Sequence, residues 1–245
     1  MLDIIQTYAM LLLVGNYPNG PLGGLVLTLV LSVLGILLAF PLGVILALLR
    51  TSPWPILRAP AIAVIYVVRG LPLIMFIFWA YFGIPALLGR TVSGFTTMLC
   101  ALVIYESAYL AEVIRAGIES LPKGQVEASR SLGLSHMQTQ RIVVLPQALY
   151  NMLPSMLSQF ISTIKETSLG YVISVQELTF AANQVNGMLL TQPFEVYTLL
   201  ALTYFILCFL LTHGVGWIER RVRRRTPTTA VQPSASQPVA SRGTA

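Results

Sequence analysis

The chain has 245 residues, 56% of them hydrophobic and only 10% charged, with a net charge of +6. A soluble domain carries about a quarter charged residues, so this composition excludes an ordinary globular enzyme and places the chain in a bilayer. The positive charge follows a topological bias along the chain, described below, and needs no nucleic acid to explain it.

Residues Met1 to Val14 are apolar but lack a basic start and carry Asp3, unlike a cleavable signal. Asn16-Tyr17-Pro18-Asn19-Gly20-Pro21 then stops any helix. Residues 1–21 therefore read as an N-terminal segment on the outer face. Five membrane spans follow, at about 22–49, 60–82, 95–114, 145–165 and 194–218, which predicts an all-α membrane protein. The first contains no charge from Leu25 to Leu49, enough to cross a hydrocarbon core about 30 Å thick. Its Gly35, Ala39, Gly43 and Ala47 fall at intervals of four and line one helix face, which lets a neighbouring backbone approach closely. Pro41 in the same run predicts a kink.

Arg69-Gly70-Leu71-Pro72 interrupts the second span. Non-helical backbone at membrane depth persists only where protein or a water-filled cavity surrounds it. In the third span Glu106 falls near the centre, where an acidic residue costs on the order of 2.5–3.5 kcal/mol on insertion scales. It must pair with a cation, Arg69 or Lys165 being the candidates, or line a substrate path. Glu112 and Arg115 are three apart and suit a pair on one helix face. Lys165-Glu166-Thr167-Ser168 breaks the end of the fourth span as Arg69 to Pro72 breaks the second, and two broken spans with buried charge suggest a transport path. Arg69, Glu106, Lys165, Glu166, Thr167 and Ser168 are thus the candidate path residues.

The third and fourth spans are joined by an insert at about 119–144, far longer than the usual handful of residues between packed helices. Its stretch 125–132 has helical propensity and Gly133 suits a left-handed stop. Ser135 and Gln138 have the spacing of a capping box. The insert is therefore expected to be a short helix, a glycine bend, and a second helix entering the membrane at Leu145-Pro146. Such a surface helix can dock in a partner's groove or serve as a solvated linker.

Cys100 and Cys208 sit in apolar spans without metal-ligand spacing and read as small core residues. His136 and His213 are isolated. No glycine-rich phosphate loop ends in Lys-Ser or Lys-Thr, so no cofactor is expected in this chain. Arg50, Arg58, Arg115, Lys123, Arg130, Arg141 and the cluster Arg220, Arg221, Arg223, Arg224, Arg225 share one side of the five-span layout. That bias puts the insert and the C-terminus in the cytoplasm and the N-terminus outside, with the last cluster beside anionic lipid. The remainder, 223–245, rich in Ser, Thr, Pro and Ala, is expected to be a disordered tail.

Glu127-Ala128-Ser129, then Gly133, Val143 and the closing Leu145-Pro146, resembles the "EAA" signature of permease subunits in bacterial ATP-binding-cassette importers. Ser129 stands where a second Ala is common and Val143 where Ile is common. Arg69-Gly70-Leu71-Pro72, Ala108-Tyr109-Leu110-Ala111-Glu112, Pro122-Lys123-Gly124-Gln125, Leu145-Pro146-Gln147-Ala148 and Lys165-Glu166-Thr167-Ser168-Leu169 look like the polar amino-acid branch of that family. The resemblance covers about 22–222 and implies a type I importer permease fold. It implies that the segment carrying Gly124, Glu127, Ala128, Ser129 and Gly133 is the coupling helix, seated in a cytoplasmic ATPase subunit. It further implies a second permease chain, identical or similar, and an external solute-binding protein, in a bacterial inner membrane. The substrate implied is a polar amino acid, with glutamate, aspartate or glutamine ahead of lysine, arginine or histidine. The competing reading is a channel or ion-coupled carrier that works alone.

Overall fold

A computed structural model describes residues 2–225 of the chain. Eleven α-helices account for most of them: α1 (Leu2–Val14), α2 (Gly24–Arg50), α3 (Pro55–Gly70), α4 (Leu73–Phe78), α5 (Ile84–Leu88), α6 (Gly94–Glu119), α7 (Lys123–Ser131), α8 (His136–Gln138), α9 (Leu145–Glu166), α10 (Leu178–Leu189) and α11 (Pro193–Arg225). A π-helical turn, Trp79–Gly83, joins α4 to α5, a second, Thr139–Val144, leads from α8 into α9, and a 3₁₀ segment, Thr167–Ile173, follows α9.

The bundle is organised around α6, with α2 packed on one flank and α9 on another. All four small residues of the predicted α2 stripe, Gly35, Ala39, Gly43 and Ala47, are buried. At Gly43 the approach is so close that a Cβ would lie 2.9 Å from Leu110 Cβ and 3.2 Å from the Ser107 carbonyl. On the α9 flank Gly117 plays the same part against Met152 and Ala148. In lipid, close van der Waals contact of this kind is what holds helices together. Helix α2 runs unbroken through Pro41.

Where α2, α3 and α6 meet, Ala47, Ile65, Ala111 and Ile114 form one buried cluster; towards the other end, Leu31, Ile77, Met98, Leu102 and Ile173 form a second. A third cluster, Ile4, Ala182, Val185 and Val196, seats α1 on α10 and α11. Several polar groups inside the bundle are paired within it: Ser32 and Thr163 donate to backbone carbonyls four residues earlier, and Thr28 Oγ1 accepts from Leu178 N at 3.1 Å. Glu177, fully buried, caps α10 by accepting from the Thr179 and Phe180 amides at 2.8 and 2.9 Å and from the Tyr204 hydroxyl at 3.1 Å.

Three helices, α2, α6 and the first 25 residues of α11, are long and apolar enough to cross a bilayer, and α3 with the α4–α5 stretch qualifies as a bent pair. The bend is 100° and falls at Leu71-Pro72, so the expected interruption of the second span is a full change of direction. The segment also begins earlier than expected, at Pro55, because a proline at the first helical position starts a helix well. Helix α9 has 22 residues, about 33 Å, long enough to cross, but Gln147, Asn151, Ser158, Gln159 and Thr163 make it the most polar of the set. Helix α11 continues to Arg225, three residues past the expected start of the tail; residues 226–245 lie outside those described. Cys100 is exposed and Cys208 half-buried, which corrects their reading as core residues: both spans carry apolar side chains on their lipid-facing sides as well, so hydropathy could not assign the face.

Candidate functional site

Two places in the fold carry unusual chemistry: the centre of the bundle and the insert. At the centre, Glu106 is completely buried on the face of α6 that meets α9. Gln159 Nε2 donates to its Oε2 at 3.0 Å, and the Glu166 carboxyl lies beside it. Gln159, Thr163 and Glu166 are spaced four and three apart, so one face of α9 presents all three to Glu106. Among the described residues, Glu106 Oε1 and Glu166 Oε2 are buried with no hydrogen-bond donor. Two carboxylates this close need a shared proton or a cation between them. Beside them, the hydroxyls of Tyr105 and Tyr109 lie 3.1 Å apart.

The expected cationic partners of Glu106 are elsewhere. Arg69 lies over the Tyr109 ring at 5.1 Å and approaches Glu112, with 3.7 Å between Nη1 and Oε2. Six positions at about 100° each turn Glu112 well away from the Glu106 face, so one arginine on α3 cannot serve both. Lys165 is exposed and forms no ion pair among the described residues; it is one position from Glu166, hence about 100° around α9. Thr167 is buried with its hydroxyl donating to the Ile164 carbonyl, and Ser168 donates to the Lys165 carbonyl. Of the six predicted path residues, the fold therefore brings together Glu106 and Glu166 and leaves Arg69, Lys165, Thr167 and Ser168 outside that contact.

Glu112 is the hub of a second cluster. Arg50 of α2, Arg69 of α3 and Arg115 of α6 all pair with its carboxylate, and Arg115 also pairs with Glu119. Arg50 additionally lies over the Tyr66 ring at 5.4 Å. The sequence pattern shows the Glu112–Arg115 pair; the involvement of Arg50 and Arg69 depends on three helices converging and has no local signature. Gln159 was also missed, though its two-turn spacing from Glu166 is a signal in retrospect.

The insert folds as a hairpin. Helix α7 ends at Ser131 with Leu132 as its C-cap, and Gly133 takes the left-handed conformation at φ +84. The Gly133 and Leu134 amides then bond back to the Arg130 and Ser129 carbonyls at 3.0 and 3.3 Å. Ser135 and Gln138 form a complete capping box that starts α8. Ser129 is the one buried side chain of α7, and its hydroxyl donates to the Gln125 carbonyl at 2.7 Å, so a serine fits where the signature commonly has alanine. Gly124, Glu127 and Ala128 are exposed, and Leu132 at the tip is 83% exposed. A Cβ at Gly124 or Gly133 would meet nothing within 4 Å.

Comparison with known proteins gives the family of the chain. The family described as "Binding-protein-dependent transport system inner membrane component" matches residues 39–224. The chain is 38% identical over 200 residues to the probable glutamine ABC transporter permease protein GlnP of Bacillus subtilis, covering 81% of this chain and 91% of that one. It is 32% identical over 207 residues to the glutamate/aspartate import permease protein GltK of Escherichia coli O6:H1, covering 82% and 92%. Among solved structures, a chain of an amino acid ABC transporter crystallised with histidines superposes with a TM-score of 0.75 at 35% identity, covering 81% of this chain and 92% of that chain. A chain of the inward-facing MetNI methionine ABC transporter shares the fold, with a TM-score of 0.64 at 22% identity over 80% and 91%. This chain therefore belongs to the binding-protein-dependent inner-membrane permeases, the membrane-spanning subunits of ATP-binding-cassette importers, whose ATPase activity resides in a separate subunit.

Proposed function

We propose that this chain is the permease of an importer for a polar amino acid, with α7 as the element through which a cytoplasmic ATPase drives it. The observation that carries this reading is the insert. It is a hairpin with one buried side chain on its helix, a rigid left-handed stop and an exposed leucine at its tip. Gly124, Glu127, Ala128, Ser129 and Gly133 form the contact region in this reading. An external solute-binding protein delivers the substrate, and a second permease chain completes the path. The clustering of Arg50, Arg58, Lys123 and Arg130 at the insert's end of the bundle supports a cytoplasmic insert and an outer N-terminus.

Glutamine is placed ahead of glutamate and aspartate as the substrate. Neither Arg69 nor Lys165 neutralises Glu106, and Glu166 adds a second carboxyl beside it. Such a site repels a free anionic side chain and accepts an ammonium group, which every amino acid carries. The test is uptake in vesicles reconstituted with the ATPase and the binding protein, comparing glutamine, glutamate and arginine. ATP-dependent glutamine uptake is expected, with Glu106→Gln shifting the preference among the three. Uptake by this chain without any ATPase sinks the importer reading; a Glu106→Gln transporter with unchanged preference and lower abundance sinks the substrate role alone.

A further inference from the structure

At the end of the bundle where α2 gives way to α3, two cavities lie side by side. The first, about 200 Å³, is apolar and is walled by Leu48, Leu49, Trp54, Leu57 and Met137 together with Gln140. The second, about 580 Å³, is lined by Arg50, Arg58, Lys123, Glu119, Glu127 and again Gln140. Gln140 thus forms part of both walls. Its side chain is 8% exposed, and its Oε1 is buried with no hydrogen-bond donor among the described residues. A buried amide oxygen left in that state destabilises the fold, which a ligand donor would relieve.

The charges select the ligand's class. Arg50 is engaged by Glu112, and Glu119 by Arg115. Arg58 and Lys123 form no ion pair among the described residues, against the single unpaired carboxylate of Glu127. The cavity is therefore electropositive. Its position is that of a lipid headgroup: it begins where the uncharged run of α2 ends at Arg50, and Trp54, 57% exposed, marks the boundary as interfacial tryptophans do. Basic pockets between spans on the cytoplasmic side commonly hold anionic headgroups.

We propose that these paired cavities bind an anionic glycerophospholipid between the α2–α3 turn and the insert. A phosphate sits near Arg58 and Lys123, a headgroup hydroxyl donates to Gln140 Oε1, and the start of an acyl chain enters the slot beside Leu48, Leu57 and Met137. The lipid then touches the first loop, α7, α8 and the π-helical turn before α9 at once, and ties the insert to the bilayer. The inference is independent of which amino acid is carried.

The test uses the complete transporter, with its ATPase and binding protein, in discs of mixed phosphatidylcholine and phosphatidylglycerol, with retained lipid measured by native mass spectrometry. Phosphatidylglycerol is expected to be enriched over its share of the disc. Arg58→Gln should cut that enrichment about fivefold, as loss of one cation near a headgroup does. Arg58→Lys should keep most of it, and Gln140→Leu should lower it while leaving phosphatidylcholine retention unchanged. Equal enrichment in wild type and Arg58→Gln overturns the proposal. So does displacement of the lipid by inorganic phosphate, which makes the site one for a soluble anion, and so does enrichment by the isolated chain that vanishes when the ATPase binds, which assigns the cavity to that protein.

Discussion

The α2–α6 seam and the insert answer opposite demands. Along the seam every small residue of α2 is buried, and α6 contributes Ala101, Ala108, Ala111 and Ile114 to the same interior. Its contacts are complete within the chain. The insert has a turn fixed by Gly133 and a capping box, yet most of its side chains face outward. Close packing leaves a surface nothing further to bind, whereas a hairpin rigid in backbone and open in side chains presents a fixed shape to a partner. Substitutions in the seam should therefore act on stability, and substitutions in the insert on coupling.

The largest effect is expected at Glu112→Gln, which leaves Arg50, Arg69 and Arg115 without their shared anion. The cluster is half-buried, so losing its shared anion should cost about 2–3 kcal/mol, at or below the lower end for a fully buried pair, readable as a lower thermal midpoint in detergent. Double-mutant cycles with Arg50→Gln should show strong non-additivity; simple additivity breaks the hub. Next comes Gly43→Val, which drives a side chain into Leu110 and the Ser107 carbonyl and should cost about 1–3 kcal/mol. Gly35→Ala, whose added Cβ would sit at an ordinary 3.5 Å from Leu102 Cβ, should be close to neutral and calibrates that claim. In the insert, Gly133→Val forces a β-branched residue into the left-handed region at a local cost of about 1–2 kcal/mol. Membrane abundance and global unfolding should stay at wild-type levels while ATP hydrolysis loses its link to uptake. A drop in global stability would show that the two regions are not separable in this way.

A pH dependence is expected at Glu177, in the connection between α9 and α11. Burial pushes its carboxyl up from 4.5 to about 7, against the opposing pull of the Thr179 and Phe180 amides and the Tyr204 hydroxyl. A carboxyl whose folded pKa is raised contributes stability that is present below its unfolded pKa and lost as pH rises through the folded one. The thermal midpoint should therefore fall as pH rises from 4.5 to about 7, and Glu177→Gln should flatten that slope. An unchanged slope in the variant assigns the dependence to another group.

Much of the fold was legible because bilayer helices write themselves into composition. The uncharged run of α2, its four-residue stripe, the Gly133 stop and the Ser135–Gln138 capping box are all local patterns, and each appears where its spacing placed it. Local rules fix hydrogen bonding and helix ends before any tertiary contact forms. The breaker at Leu71-Pro72 was visible in the same way, though not the size of the turn it makes.

What the chain alone determined is thus where most of the long helices run, though not α10, where the insert's helix stops, and that an acidic side chain falls near the middle of an apolar helix. Only the tertiary structure decided what that side chain meets. Glu106 faces α9 and its Gln159 and Glu166, while Arg69 turns to Glu112. The reason is rotational: one residue's step swings a side chain by about 100° around a helix axis, and the mutual rotation of two helices is set by the packing of small residues along their whole length, not by the sequence near either charge.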